Sequence, residues 1–141
     1  MVKEEKKKFI FTVGKRKESV ARAVVKAGTG KIKINSTPLE VWSNQFQRMR
    51  VKEPLSLAGD LALKVDIDVD VESGGSTGQV EAARMAIARG LVLFGGNKQL
   101  KQRFIEYDRN LLVFDPRRNE PHHAGGASKH GSRTHKQRSK R

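Results

Sequence analysis

The sequence predicts a two-layer α/β domain, a mostly antiparallel four-stranded sheet with helices on one face, followed by an extended basic tail. Three observations carry this. Val65-Asp-Ile-Asp-Val-Asp-Val-Glu72 alternates aliphatic and acidic residues with period two, as a strand with one dry and one wet face must. Val80, Ala83, Ile87, Leu91 and Phe94 recur at helical spacing and make one apolar stripe. After Phe114 apolar residues almost vanish.

The elements follow in order. Phe9-Ile-Phe-Thr-Val13 is β-branched and aromatic and reads as a strand. Gly14-Lys-Arg-Lys17 is a basic turn, and Ser19-Val-Ala-Arg-Ala-Val-Val-Lys26 a second strand. Gly28-Thr-Gly30 reads as a hairpin turn into Lys31-Ile-Lys-Ile34, whose strict alternation marks a half-buried third strand. A turn at 35–38 leads to a short helix opened by Pro38, with Val41, Trp42, Phe46 and Met49 on its apolar side. Glu53-Pro54 should interrupt it, because proline disfavours helix in the residue before it.

The fourth strand is 65–72, ended by Ser73-Gly-Gly75. Ser76-Thr-Gly-Gln79 fits a capping box for the long helix. Ala82, Ala83, Ala86 and Ala88 keep that helix thin, and Gly95-Gly96 stop it. Asn97 can cap a last helix in which Leu100, Phe104 and Tyr107 line up. The chain of 141 residues thus divides into a body, 1–115, and a tail, 116–141, with the boundary near Asp115-Pro116.

The charge indicates the partner. Lys and Arg total 29 against 15 Asp and Glu, a formal net charge of +14, which points to nucleic acid or an anionic membrane. The tail carries eight of the cations (Arg117, Arg118, Lys129, Arg133, Lys136, Arg138, Lys140, Arg141) and one acid, Glu120. It holds too little apolar surface to offset its ordering entropy, so alone it should be disordered. Arg and Lys spaced by Gly and Ser suit a chain threading between phosphates; a merely solubilising arm is the plainer alternative. A membrane reading would need an amphipathic face or aromatics, and the tail has neither. No apolar run is long enough to span a bilayer and no secretory signal is read, so a cytoplasmic chain is expected.

Catalysis finds no support. There is no cysteine, which rules out disulfides, Cys-ligated zinc and a thiol nucleophile. Asp66, Asp68, Asp70 and Glu72 would stand about 7 Å apart along one strand face, too far for one ion without further ligands. A solvated face answering nearby Lys and Arg is the better reading. His122, His123, His130 and His135 have no zinc-motif spacing. Ser73-Gly-Gly-Ser-Thr-Gly78 lacks the lysine of a P-loop and does not match G-x-G-x-x-G; an RNA-phosphate contact or a plain turn are both ordinary readings. No serine sits in a nucleophile elbow. Neither an enzyme nor a cofactor is expected. The remaining constellation is Lys15, Arg16 and Lys17 in one turn with Arg22 following, open between an RNA contact and a solvated turn.

At these residues the chain resembles a known family. Gly14-Lys-Arg-Lys-Glu-Ser-Val-Ala-Arg-Ala23, Gly30-Lys-Ile-Lys-Ile-Asn35, Pro38-Leu-Glu40, Glu53-Pro-Leu55, Asp66-Ile-Asp-Val-Asp-Val71, Gly74-Gly-Ser-Thr-Gly-Gln79, Ala83-Arg-Met-Ala-Ile-Ala-Arg-Gly-Leu91, Asp115-Pro-Arg-Arg-Asn-Glu-Pro121 and the closing Ser139-Lys-Arg141 occur in an order and spacing similar to the small-subunit ribosomal protein S-nine family in its archaeal form. The resemblance implies a fold of the ribosomal S-five second-domain type with a left-handed βαβ crossover. It implies a non-catalytic protein in the head of the small subunit, partnered by ribosomal RNA and neighbouring head proteins. It further implies that Lys140 and Arg141 face the anticodon stem-loop of tRNA in the peptidyl site. Lys15, Arg16, Lys17 and Arg22 match the family's basic N-terminal motif, and RNA contact by them, and by Arg117, Arg118, Lys129, Arg133, Lys136 and Arg138, is the expectation.

Overall fold

A computed structural model describes residues 8–121. The strands are β1 (Ile10–Arg16), β2 (Ser19–Ala27), β3 (Ile32–Ile34), β4 (Thr37–Pro38) and β5 (Val65–Glu72); the helices are α1 (Gln45–Ala58), α2 (Ser76–Gly95) and α3 (Lys98–Tyr107). Short 3-10 turns occupy Leu39–Val41, Gly59–Lys64 and Arg109–Leu111.

The sheet is five-stranded and mixed, in the order β1-β2-β5-β3-β4, rather than the mostly antiparallel four-stranded sheet expected. β2 pairs with β1 and β5 antiparallel, whereas β3 pairs with β5 parallel, Ile32 opposite Ile67 and Ile34 opposite Val69. The expected β2–β3 hairpin is therefore absent. The reason lies in where the 28–31 turn sends its amides. Gly28 and Gly30 donate to the carbonyls of Lys64 and Val65, and Thr29 and Lys31 donate to Asp66 Oδ1, both at 2.9 Å. The turn wraps the start of β5 and leaves room for β5 between β2 and β3.

The fifth strand, β4, comes from a tight turn at Asn35 and Ser36, both in the left-handed region with φ 49° and 65°. Asparagine tolerates that region. Its side chain then works as an extra strand residue: Nδ2 donates to the Val71 carbonyl at 3.2 Å and Oδ1 accepts the Val71 amide at 2.8 Å.

In β5, Val65, Ile67, Val69 and Val71 are buried and the acids between them face the open side. Ala21, Ala23 and Val25 of β2 join the same buried layer. Over it lies α2, and its burial is wider than one stripe: every residue from Ala82 to Ala88 is buried. Other helices cover the flank that a surface helix would leave wet. The capping box is not formed. The helix is preceded by Gly75 with no side-chain cap, and Gln79 Nε2 reaches back to the Ser73 carbonyl at 3.1 Å instead. The far end is as expected: Gly95 closes the helix, the Gly96 amide bonds to the Val92 carbonyl, and Asn97 caps α3 by accepting the Gln99 amide at 2.8 Å. Leu100 and Phe104 of α3 are buried, whereas Tyr107 is exposed.

The helix expected from Pro38 is displaced. Pro38 ends β4, and α1 starts later, with Asn44 accepting the Gln47 amide at 3.0 Å. It then runs through Pro54 to Ala58. Pro54 is buried beside Val51, so packing offsets the lost backbone bond. Val41, Phe46 and Met49 point outward; the buried side is the one that carries Val51 and Pro54.

Candidate nucleic-acid interface

The basic turn is held in place by a close contact between β1 and α2. A Cβ on Gly14 would lie 2.0 Å from the Ala82 carbonyl oxygen and 2.7 Å from the Ala86 amide nitrogen, so only glycine lets the two backbones approach this far. Around that contact, Thr12 Oγ1 donates to the Ala86 carbonyl at 2.8 Å. Arg89 spans two segments, donating to the carbonyls of Val13 at 2.9 Å and Leu112 at 3.0 Å. β1 thus ends on a rigid helix, and the turn beyond it, with Lys17 at φ 53°, projects Lys15 and Lys17 into solvent.

The root of the tail arrives at the same place. After α3, Asp108 caps the 3-10 turn by accepting the Asn110 amide at 2.9 Å, and Leu111 is fully buried. Asp115 follows and is itself buried. Its carboxylate meets Arg16 Nη1 at 2.6 Å. It also accepts the Arg117 amide at 3.0 Å, Arg117 Nε at 3.1 Å and Arg117 Nη2 at 2.8 Å. The Arg117 hydrogen bonds, aided by the Arg117 and Arg16 charges, hold the Asp115 carboxyl down to about 2 from the ordinary 3.8. Arg118 Nη1 donates to the Lys17 carbonyl at 3.2 Å, and its guanidinium lies 4.9 Å from the centre of the Phe114 ring. Lys15, Arg16, Lys17, Arg50 and Arg117 line a cleft of about 250 Å³, with Glu81, Asp108 and Asp115 also in its wall.

The structure therefore gathers five of the expected contact residues, Lys15, Arg16, Lys17, Arg117 and Arg118, on one edge of the body. Arg22 lies elsewhere. It stands on the open face of the sheet opposite Asp70, with Nη1 2.8 Å from Glu72 Oε1. That face is the solvated one expected: Lys26 reaches Asp68 at 3.7 Å, and Asp66 caps the 28–31 turn. The amides of Lys31 and Thr29 lower the Asp66 carboxyl. No group of three or more potential ligand side chains stands ready for a metal among the described residues. The turn at 73–78 is built around Ser19. Ser19 Oγ donates to the Ser73 carbonyl at 3.0 Å and lies where a Cβ on Gly74 would be, which accounts for a glycine there. Lys129, Arg133, Lys136, Arg138, Lys140, Arg141 and the four histidines lie outside the described residues.

Two residues of this region escaped the sequence reading. The sequence marks Asp115 as a boundary, yet its carboxylate is the point at which the end of β1 meets the root of the tail; an aspartate that can accept the amide two residues on is a local signal for such a turn. Arg84 sits in the middle of an alanine-rich buried stretch, where a lone arginine signals a buried network.

The sequence matches the family described as ribosomal protein S9/S16 over residues 14–141. It is 45% identical over 134 residues to the small ribosomal subunit protein uS9 of Methanococcus vannielii, covering 95% of this chain and 99% of the relative. The uS9 proteins of two Methanococcus maripaludis strains, C7 and C5, match with the same identity and coverage. Among the described residues no helix is long and apolar enough to cross a membrane. With a match this long and a basic edge built from its own motifs, the chain belongs to the ribosomal protein S9/S16 family.

Proposed function

We propose that this protein is a structural constituent of the small ribosomal subunit, seated in its head on small-subunit ribosomal RNA, without catalysis or a cofactor, in the cytoplasm. The observation that carries the reading is the convergence of Lys15, Lys17, Arg117 and Arg118 on one edge, with the half-buried Arg16 behind them, at the point where the tail leaves the body. A phosphate backbone would be met there by several cations at once. The names of the uS9 relatives support the small-subunit assignment. In this reading 1–115 is the RNA-binding body and 116–141 a tail that RNA orders. The tail threads its cations between phosphates, and Lys140 and Arg141 meet the anticodon stem-loop of peptidyl-site tRNA. Neighbouring head proteins complete its surroundings, and the β3–α1–β5 crossover is left-handed.

The test is sedimentation of the full chain with small subunits through high-salt gradients. Co-migration is expected, with loss when Lys15 and Lys17 are both changed to Glu. A chain that binds RNA yet leaves the subunit at high salt would instead be an RNA-binding protein acting off the ribosome.

A further inference from the structure

The cations at the tail root are not equivalent. Arg16 and Arg117 are both committed to Asp115, whereas Lys15, Lys17 and Arg118 meet no acid among the described residues. Asp115 is 8% exposed and is held by one backbone amide and two guanidinium groups. The two pairs differ in burial: the Arg16 side chain is 20% exposed and the Arg117 side chain 75%. Taking Arg16 away for a phosphate would leave a buried carboxylate short of its half-buried partner, a strongly unfavourable exchange. The Arg16–Asp115 pair should therefore outlast RNA binding, whereas Arg117 still faces solvent.

We infer that Asp115 is a positioning residue for RNA docking: through Arg16 it pins the root of the tail to the end of β1, so that Lys15, Lys17 and Arg118 reach RNA as one preset cluster, and it withholds Arg16 from indiscriminate phosphate contact. This rests on the ribosomal reading above. Two consequences are built into the arrangement. The entropy of fixing the tail root is spent in the free protein, which favours the RNA whose phosphates fit the cluster. A further cation at the same edge, Arg16, contributes little counterion release, which limits affinity for RNA of any other shape.

The experiment uses the full chain and compares wild type with Asp115→Asn and Asp115→Glu. By NMR, the Arg16 guanidinium protons of the free wild type should exchange slowly with water, and in Asp115→Asn they should exchange rapidly. This first measurement needs no variant to fold; equally rapid exchange in the wild type would overturn the proposal. Binding is then followed across a salt series on two RNAs, the small-subunit head domain and an unrelated RNA of equal length. In Asp115→Asn the log–log salt slope on the unrelated RNA should steepen by about 0.7 to 0.9 as the released Arg16 finds a phosphate. Preference for the head RNA should fall on the order of tenfold as the preset cluster is lost. Asp115→Glu, which keeps the charge, should restore the shallower slope. A folded Asp115→Asn variant with an unchanged slope and an unchanged preference would overturn the proposal. Failure of the wild type to prefer head RNA would sink the ribosomal reading instead, and the slope on the unrelated RNA would still decide the role of Asp115.

Discussion

Arg84 Nη1 lies 3.0 Å from Asp108 Oδ2, so the middle of α2 is tied to the residue at which α3 ends. The same guanidinium pairs with Glu53 of α1 and lies 3.5 Å from Glu81, one turn back on its own helix. Arg50 closes the network with bonds to Glu53 at 3.1 Å and Glu81 at 2.8 Å. One buried side chain thus joins all three helices. Removing it leaves Asp108 without its cation and Glu53 and Glu81 with Arg50 alone, and empties a fully buried site, so Arg84→Ala should cost about 3 kcal/mol of stability. Urea unfolding of the two proteins measures this. A loss below about 1 kcal/mol would mean that the pairs are no stronger than a surface contact.

The approach of β1 to α2 is the second target. Gly14→Ala would place a methyl group 2.0 Å from the Ala82 carbonyl oxygen, between two backbones that have no soft atom to move. The expected cost is about 1–3 kcal/mol or more. Because residues 15–17 follow directly, their amide NMR shifts should move along with the melting temperature. Wild-type stability and unmoved shifts at 15–17 would show that β1 and α2 are not in backbone contact.

Acid provides a third check. The Asp115 carboxyl is held at about 2 against an ordinary 3.8, first by the Arg117 side-chain hydrogen bonds and the Arg117 amide, then by the Arg117 and Arg16 charges. A carboxyl depressed by folding contributes stability that is fully present above its unfolded value and is lost as pH falls through its folded one. The tail root should therefore stay pinned from neutral pH down to about 4 and release only as pH approaches 2. Carbon-13 titration of the Asp115 carboxyl should show a midpoint near 2, moved upward by Arg117→Gln. A wild-type midpoint at 3.8 would place the carboxylate in open water.

The last prediction concerns the tip of the tail. Deleting Lys140 and Arg141 should leave small-subunit assembly intact while weakening peptidyl-site binding of every tRNA alike, since backbone contacts carry no sequence information. The log–log salt slope of tRNA binding should fall by roughly 1.4 to 1.8 if each residue holds one phosphate. Filter binding across a salt series reads it. An unchanged slope removes the phosphate contacts, and a loss confined to one tRNA replaces them with base readout.

Much of the body was legible because its signals are local. The alternation of 65–72, the helical spacing of 80–94, the Gly96 stop and the Asn97 cap each depend on neighbours a few residues away, and each is found in place. What escaped was non-local. Nothing near Gly28 announces that its amide is destined for Lys64, and without that bond the hairpin reading was the natural one. Pro54 is a helix breaker by local rule, yet tertiary burial carries α1 through it. At the site, Lys15, Arg16 and Lys17 stood out as a basic turn. Their union with Arg117 and Arg118 depends on a bond between Arg118 and Lys17, 101 residues apart, that no pattern in the chain encodes.

The central place of β5 has a consequence for synthesis. β2 is complete early, but the strand that covers its second edge comes only after β3, β4 and α1, and the helix that covers its apolar face comes later still. At about 5–20 residues per second, several seconds separate the emergence of Ala27 from that of Gly95. Throughout that interval the β1–β2 hairpin presents Ala21, Ala23 and Val25 with nothing over them and an unpaired strand edge beside them. That hairpin is the part of the nascent chain most exposed to wrong pairing, and the one on which a holding chaperone would act. When β5 and α2 have emerged, strand insertion and helix docking can close the sheet and its cover together, and the basic edge is complete once Asp115 and Arg118 follow and meet the end of β1.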